Sequence, residues 1–257
     1  MNILVTGHRG FIGSNLFKAL SKEHDVSGFD WVEGGFFPDI SNFDWVIHLG
    51  AISATTESDV EKIMKRNYDF SVNLFKACYD YAVNLQYASS AQLYGLGTNF
   101  REDAPPDPRS PYAWTKYLFE RHVKQNDPGH ITVQGFRYFN VYGPGEEHKG
   151  NQASPFTKFR KQKEERGYIE VFAPAGKYKR DFVHVDDVVN YHLQFLNVEE
   201  NGVWNIGSGK PRSFLEIAQE IGGEIREVPV PENIRPWYQE WTCADMTKTR
   251  QTLDRYK

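Results

Sequence analysis

The chain has 257 residues, 40% hydrophobic and 15% aromatic, which suffices for one large domain or a nucleotide-binding core with a small lobe. A formal net charge of −4, with no block of Lys or Arg, gives no indication of a nucleic-acid partner or an anionic membrane. Cys78 and Cys243 are too few and too far apart for a disulfide scaffold or a cysteine zinc site, so we predict no metal. The start shows no signal-peptide pattern and no apolar run is long enough to span a bilayer, so we expect a soluble, cytoplasmic protein.

A strand, a glycine turn and a helix follow one another at the start of the chain. Residues 2–6 form a short apolar run, which is followed by Gly7, Gly10 and Gly13 with the spacing GxxGxxG. Apolar residues then recur at helical spacing as far as Leu20. Glycines let the backbone approach a pyrophosphate, and the helix N-terminus offers free N–H groups. The segment predicts a dinucleotide-binding turn, although an ordinary tight turn between strand and helix has the same pattern.

An acidic residue after the second predicted strand indicates which dinucleotide binds. Residues 25–29 form this strand and Asp30 ends it, 20 positions after the second glycine of the turn. A carboxylate there can accept both ribose hydroxyls and would repel a 2′-phosphate, which favours NAD. Arg9 could reach a 2′-phosphate, which leaves NADP open. Asp39 and Ile40 could border the adenine by a hydrogen bond and an apolar wall, or they belong to a plain loop.

The third predicted strand, residues 44–49, is a nearly unbroken apolar run, as expected for a parallel strand covered on both faces. Residues 50–53 follow at its carboxyl end, where ligands bind in such sheets. A helical pattern over residues 57–81 contains Asn67, whose side chain needs partners if it is buried.

The segment after the fourth predicted strand, residues 85–88, contains the residue types of a proton-transfer site, beginning with Ser90. Residues 110–111 can cap and start a helix, which puts Tyr112 and Lys116 on one helix face. A phenol beside an ammonium can act as a base, but its pKa must fall by roughly 3 from ~10 for work at neutral pH. One nearby cation lowers a pKa by about 1 to 3, so a second cation such as an oxidised nicotinamide would help. A surface helix that happens to carry Tyr and Lys is the alternative.

The second half alternates strands and helices again. Strands are predicted at residues 131–136, 169–172, 181–185, 203–206 and 225–230, and helices begin near residues 156, 186 and 213. The predicted fold class is α/β, a Rossmann-type doubly wound parallel sheet with a smaller, interleaved α/β substrate-binding lobe. We expect residues 1–150 to form the core, completed by strands near 181–206, and residues 151–257 to form mainly the lobe.

The glycine turn, Ser90, Tyr112 and Lys116 occur in the order typical of one enzyme family. From residue 2 to about 247 the chain resembles the extended short-chain dehydrogenase/reductases, and among them the nucleotide-sugar epimerases. A sharper likeness to the ADP-L-glycero-D-manno-heptose 6-epimerase family is carried by residues 50–57, 87–91, 135–144, 146, 148–150 and 179–183. The resemblance implies an NAD(P)-dependent enzyme that acts on a nucleotide-diphosphate sugar and is expected to form a homo-oligomer.

The resemblance also implies roles for individual residues. Ser90, Tyr112 and Lys116 match the catalytic residues of the family, and Lys149 matches a lysine proposed as a second acid/base. The positions that match dinucleotide contacts are Phe11, Ile12, Asp30, Leu49, Gly50, Ala51, Ser53, Asn67, Tyr112, Lys116 and Val141. The positions at or near sugar-nucleotide contacts are Ser90, Asn140, Asn151, Arg180 and Tyr238. Arg235, which lies beside aromatic residues, is a further candidate for contact with a diphosphate or a base.

The chain departs from the heptose enzymes in three ways, which leaves a UDP-hexose 4-epimerase or another nucleotide-sugar reductase open. The stretch between residues 30 and 44 is much shorter, the expected closing helix is missing, and Asn151 and Lys158 stand where relatives have Ser and His. A sugar 4,6-dehydratase usually has an Asp-Glu pair where Ala91 and Gln92 stand here, and a GDP-fucose-synthase-like enzyme has a cysteine in place of Ala91. A non-catalytic dinucleotide-binding regulator is the alternative from another class.

Overall fold

The computed structural model describes residues 1–33, 35–54, 57–232, 235 and 238–257, without the side chain of Asn151. Its strands are β1 (Asn2–Thr6), β2 (Asp25–Phe29), β3 (Trp45–His48), β4 (Asn84–Ser90), β5 (Val133–Tyr138), β6 (Asn140–Tyr142), β7 (Tyr168–Phe172), β8 (Lys179–His184), β9 (Gly202–Ile206), β10 (Pro211–Ser213) and β11 (Glu224–Val228). Its α-helices are α1 (Phe11–Leu20), α2 (Val60–Ile63), α3 (Phe70–Tyr81), α4 (Pro111–Gln125), α5 (Pro155–Arg166), α6 (Val185–Phe195), α7 (Phe214–Ile221) and α8 (Thr247–Arg255).

The central sheet has six parallel strands in the order β2-β1-β3-β4-β5-β9. Alternate side chains of β1 pack against opposite layers of helices, because successive residues of a strand point to opposite faces. Ile3 lies in a cluster with Leu16 of α1 and Val189 of α6, whereas Leu4 lies in a cluster with Leu74 of α3 and Phe119 of α4. The doubly wound, Rossmann-type fold predicted from the sequence is therefore confirmed.

The strand order of the central sheet reverses next to β1. β2 lies on one side of β1 and β3 on the other, with Thr6 paired to His48 at their carboxyl ends. Ligands of such sheets bind in the crevice at this reversal, outside the carboxyl ends of the strands. Gly7 directly follows β1, and Gly50 is the second residue after β3. The glycine turn therefore lies at the crevice.

Two smaller sheets lie beside the central one in the fold. β8 pairs antiparallel with β10 and parallel with β6, and β7 pairs parallel with β11. Phe156 of α5 and Ile217 of α7 pack with Ile169 and Phe182 from these sheets. Of the strands predicted between residues 181 and 206, β9 joins the central sheet and β8 belongs to the three-stranded sheet. The division of the chain at residue 150 stays a prediction.

The long helix predicted over residues 57–81 is interrupted. Residues Met64–Asp69 between α2 and α3 form a π-helical stretch, and Phe70 N donates to Lys65 O, five residues earlier. The Ser71 hydroxyl donates to Asn67 O at 2.5 Å, and His48 Nε2 lies 2.8 Å from the same hydroxyl. A side chain that bonds a helix carbonyl disturbs the regular ladder, and π-helical turns are frequent at functional sites.

The last helix of the chain, α8, packs against the central sheet. Trp204 Nε1 donates to Thr252 Oγ1 at 3.0 Å, and Leu253 packs in the cluster that contains Trp204. This helix therefore covers the last strand of the central sheet. Among the described residues, no helix combines the length and the apolar character needed to cross a membrane.

Candidate active site

The turn after β1 is packed too closely for residues other than glycine. Gly7 has a φ of +74°, and its N–H donates to Phe29 O at 2.7 Å. A Cβ added to Gly7 would lie 2.6 Å from Gly50 N, and one added to Gly13 would lie 2.0 Å from Gly7 O. The close contacts hold the start of α1 against the carboxyl ends of β1 and β3.

A cavity of about 1010 Å³ begins at this turn and is lined there by Gly7, Gly10, Phe11, Ile12 and Gly13. In the described part of the chain no side chain caps α1, and the first N–H groups of any helix lack partners within it. These groups and the positive end of the helix dipole suit a pyrophosphate. The residues present at this end therefore fit a bound dinucleotide.

The loop after β3 forms the next part of the cavity wall through Leu49, Ala51 and Ser53. Gly50 N lies 3.3 Å from Thr6 Oγ1, to which it donates a hydrogen bond.

Asn67 holds this loop from behind. Its Oδ1 accepts from Ile52 N at 2.8 Å, and its Nδ2 donates to Ile52 O at 2.9 Å and to Thr115 Oγ1 at 3.3 Å. The Asn67 amide is buried and engaged by the protein, so in this structure it contributes to the cofactor end by shaping the loop.

Asp30 lies at the end of β2, beside the glycine turn and outside the lining of the cavity as the described residues define it. Its Oδ2 is 3.1 Å from His8 Nδ1 and 3.5 Å from Arg9 Nε. His8 Nδ1 and Asp30 Oδ2 have no hydrogen-bond partner among the described residues. Contact of Asp30 with a ribose stays a prediction.

Asp39 and Ile40, the candidates for the adenine border, occupy different environments. Asp39 is exposed and accepts from Ser41 N at 3.0 Å, and this hydrogen bonding lowers the pKa of its carboxyl. Ile40 is buried in the cluster that contains Leu4 and Phe70. Their roles at the adenine also stay predictions.

The catalytic candidates meet in the middle of the cavity, as the sequence predicts. Ser110 caps α4 by accepting from Ala113 N at 3.1 Å, which starts the helix just before Tyr112. Lys116 Nζ lies 5.9 Å from the centre of the Tyr112 ring and donates to Ala88 O at 2.8 Å. Ser90, Tyr112 and Lys116 all line the cavity, with Ser90 hydrogen-bonded to Tyr112.

The protein's own groups do not make Tyr112 a strong base. Burial raises the pKa of the Tyr112 phenol, and the hydrogen bond with Ser90 only partly opposes this effect. Burial lowers the pKa of Lys116 to about 8, against the attraction of Glu120, so its ammonium is retained at neutral pH. Lys116 does not bring the pKa of Tyr112 toward neutral pH in this structure, which agrees with the expectation that one cation is not enough. A second cation, such as an oxidised nicotinamide, is needed to lower the pKa of Tyr112 further.

Aromatic rings enclose a buried cation at the far end of the cavity. The Arg180 guanidinium lies 5.1 Å from the Tyr238 ring and 5.6 Å from the Phe214 ring, and all three residues line the cavity. Its NH1 donates to the adjacent Lys179 O at 2.9 Å, which leaves further N–H groups of the fork for a ligand. Such an arrangement suits a diphosphate.

Asn140, Asn151 and Arg235 are the other predicted substrate contacts. Asn140 of β6 lines the cavity, as does Val141, which the sequence predicts as a dinucleotide contact. Arg235 is exposed and donates to Val230 O at 3.2 Å, and it is not among the described lining residues. The side chain of Asn151 and the whole of Trp237, which the sequence grouped with Arg235, lie outside the described residues.

Lys149 lines the cavity with its Nζ 5.3 Å from the centre of the Phe11 ring, at the start of α1. Burial lowers its pKa, as does the nearby Lys158, while Glu146 raises it. Glu146 is buried and accepts from Ser154 N at 2.7 Å and Ser154 Oγ at 2.5 Å. The lowered pKa makes Lys149 a better proton donor and acceptor near neutral pH than an exposed lysine.

The histidines are in packing or polar networks. His192 is buried between Tyr138 Oη at 2.5 Å and Gln86 Oε1 at 2.6 Å, and burial lowers its pKa to about 3. Within the described ranges, no group of three His, Cys, Asp or Glu side chains is arranged to hold a metal ion.

Comparison with protein families identifies the family of the chain. Residues 34–207, more than half of the chain, match the model of the NAD dependent epimerase/dehydratase family. The chain belongs to this family. NAD as the cofactor and the enzymatic character predicted from the sequence are thereby confirmed.

Solved structures of other epimerases resemble this NAD-dependent epimerase/dehydratase. The Helicobacter pylori ADP-L-glycero-D-manno-heptose-6-epimerase has 26% identity and a TM-score of 0.84, over 100% of this chain and 90% of that one. The Thermotoga maritima UDP-glucose 4-epimerase with UDP-glucose has 25% identity and a TM-score of 0.84, over 99% and 93%. The Thermus thermophilus UDP-glucose 4-epimerase in complex with NAD has 24% identity and a TM-score of 0.80, over 100% and 94%.

The epimerase/dehydratase fold also brings to the cavity residues that the sequence did not assign. The sequence predicts a solvated face for the basic helix α5, but Lys158 of that helix lines the cavity, and burial lowers its pKa. Pro155 fixes the start of α5 and is the signal that could have placed Lys158 in its first turn. Other lining residues without a sequence signal are Gln92, His148, Gln152, Gln162, Glu170 and Phe172.

Proposed function

We propose that this protein is a nucleotide-sugar epimerase that oxidises a sugar carbon and reduces it again with bound NAD. One observation carries the proposal. A single cavity is lined by the glycine turn, by Ser90, Tyr112 and Lys116, and by Arg180. One cavity therefore combines a site for a dinucleotide, a proton-transfer site and a buried cation that can bind a diphosphate. A substrate bound there can contact the cofactor and the catalytic residues together.

The dinucleotide is held by the start of α1, and the sugar nucleotide is held by the opposite end of the cavity. Arg180 binds the diphosphate, because a guanidinium fork pairs bidentately with phosphate oxygens. The Tyr238 ring beside it supplies an apolar wall for the nucleotide. Further proposed contacts with the sugar nucleotide are Ser90, Asn140, Asn151 and Arg235.

Proton transfer is assigned to the residues beside the reacting carbon. Bound NAD supplies the hydride acceptor and donor at this point. Tyr112 accepts the proton of the sugar hydroxyl and later returns a proton to the same oxygen. Ser90 hydrogen-bonds that oxygen, and Lys116 stays charged so that the ionised form of Tyr112 is favoured.

Lys149 is the candidate for a second acid/base. Its amine has a pKa lowered by burial, which suits a group that exchanges a proton when the carbonyl intermediate is reduced. Lys149 is close to the cofactor end of the cavity, because its Nζ lies 5.3 Å from the centre of the Phe11 ring.

An ADP-activated heptose is the first substrate to test, supported by the 26% identity with the Helicobacter pylori heptose epimerase. A UDP-hexose is the second, supported by the 25% identity with the Thermotoga maritima UDP-glucose 4-epimerase. A homo-oligomer and a cytoplasmic location stay predictions from the sequence.

The test is incubation of the purified protein with ADP-glycero-manno-heptose and, separately, with UDP-galactose, followed by NMR of the sugar products. We expect interconversion of epimers in one reaction and no net consumption of added NAD. Denatured protein should release NAD or NADH, which absorbance detects. Elimination of water or net oxidation of the sugar would contradict epimerisation.

Tyr112→Phe tests the assigned base in the same assay. Removal of the phenol should lower turnover about 10³-fold, a typical value for loss of an acid/base group, while bound NAD is retained. Tyr117→Phe, on the same helix, is the matched control and should keep turnover within a factor of two or so. Ordinary turnover in Tyr112→Phe would exclude this mechanism.

A further inference from the structure

A buried ion pair that the proposed chemistry does not use lies behind the catalytic residues. Glu120 accepts hydrogen bonds from Arg137, through Nε at 3.0 Å and NH2 at 2.6 Å. The Ser89 hydroxyl donates to the same carboxylate. All three side chains are at most 8% exposed, so the pair is screened little by solvent.

The pair connects β4 and α4, which carry Ser90, Tyr112 and Lys116, to the neighbouring strand β5. Ser89 on β4 and Arg137 on β5 are directly paired neighbours in the central sheet. Glu120 lies on α4, one helical turn after Lys116. Lys116 itself donates to Ala88 O, in the strand that ends with Ser89 and Ser90.

A buried ion pair is weak evidence for a stabilising role, because desolvation offsets much of the attraction. Its placement beside Lys116 indicates a different role. We propose that Glu120 is a positioning residue of this site, whose carboxylate ties α4 to β4 and β5 and places a negative charge one helical turn from Lys116. This inference rests on the proposed function, in which Lys116 is the cation beside Tyr112.

Among the described groups around Lys116, Glu120 is the anion that affects the pKa of the ammonium. On α4 the neighbours are Tyr112, a neutral phenol whose pKa burial raises, and Glu120. On β3 His48 is neutral at pH 7, because burial and then Lys116 lower its pKa to about 3. On β5 the neighbour with charge is Arg137.

The pKa of Lys116 reflects this balance. Burial lowers the pKa to about 8, and the Glu120 carboxylate opposes that effect. Tyr138 on β5 is neutral, since burial raises its pKa far above the usual range. Loss of the Glu120 charge would therefore bring deprotonation of Lys116 into the neutral range.

The test compares Glu120→Gln with Arg137→Gln, which break the same ion pair but differ in the charge that remains. The pKa of Lys116 is measured by ¹³C NMR of labelled lysine side chains without any sugar, and its resonance is assigned from the spectrum of Lys116→Arg. In Glu120→Gln we expect that pKa to fall by about 1 pH unit, because the carboxylate is gone and a cation remains. In Arg137→Gln it should not fall, because the carboxylate stays.

A pKa of Lys116 that is unchanged in Glu120→Gln, or that falls equally in both variants, would overturn the inference. If a single variant does not fold, the double variant Glu120→Gln/Arg137→Gln replaces it, since no charge is then left unpaired. Its Lys116 pKa should lie below that of the wild type, and an unchanged value would equally overturn the proposal. Ser89→Ala, which keeps both charges, should leave the pKa unchanged.

Turnover gives a second readout. The charged form of Lys116 is the active one, so activity is lost as the pH rises through its pKa, and the alkaline limb of kcat should move to lower pH in Glu120→Gln alone. Absence of Tyr112-dependent turnover in the wild type would defeat the proposed function. It would not affect the NMR comparison, so the two failures are distinguishable.

Discussion

The two ends of the cavity are built in different ways. The cofactor end is made by main chain, with Gly7 and Gly13 in contacts that a single Cβ would block. The substrate end is made by side chains from separate segments, among them Arg180, Phe214 and Tyr238. The first arrangement is encoded in a few consecutive residues, whereas the second depends on how distant strands and loops pack together. A substitution at the cofactor end should therefore displace the backbone, whereas a substitution at the substrate end should weaken only the binding of the substrate.

Gly13→Ala is the substitution with the largest expected effect. The new Cβ would lie 2.0 Å from Gly7 O, so the turn must move. Strain of this kind costs on the order of 3 kcal/mol, and NAD binding should weaken by about 100-fold or more, measured by calorimetry. Gly176→Ala is the control, since its Cβ would meet no atom nearer than 4.0 Å among the described residues. Unaltered NAD binding in Gly13→Ala would refute the main-chain account.

Arg180→Gln should have an intermediate effect, confined to the substrate. Loss of a charged hydrogen-bonding group costs about 2 kcal/mol, so KM for the nucleotide sugar should rise about 30-fold. Affinity for NAD and the melting temperature should stay close to the wild type, because among the described residues Arg180 donates only to its neighbour Lys179. Steady-state kinetics measures this change, with Arg212→Gln as the control, a partly exposed residue paired with Glu220. A drop in kcat with unchanged KM would contradict the assignment.

Asp30→Asn tests the predicted selection of the cofactor by a side chain, and its effect should be the smallest. Removal of the charge weakens acceptance of the ribose hydroxyls by about 1 kcal/mol, a fall in NAD affinity of roughly fivefold. Affinity for NADP should rise, because Arg9 then faces a 2′-phosphate without a competing carboxylate. Binding titrations with both dinucleotides check this, and Asp25→Asn at the start of β2 is the control. Equal losses for NAD and NADP would show that Asp30 does not discriminate.

The sequence predicts the cofactor end well and the substrate end poorly, for physical reasons. A glycine turn after an apolar strand and a capped helix with Tyr112 and Lys116 are local patterns, and both form as predicted. The position of Lys158 at the cavity depends on where α5 packs, and the basic composition of the helix gives no sign of it. The rise in the pKa of Tyr112 likewise depends on burial by elements far apart in the chain. The π-helical stretch around Asn67 has no periodic signal, because it arises from contacts with β3 and the loop after it.

Asn67 has a mechanical consequence that goes beyond the shape of one loop. The same amide group grips Ile52, next to residues that line the cofactor end, and Thr115, which adjoins Lys116. A displacement of that loop on dinucleotide binding would act through this one side chain on the helix that carries Tyr112 and Lys116. We therefore expect binding of the cofactor and the position of Tyr112 to be coupled.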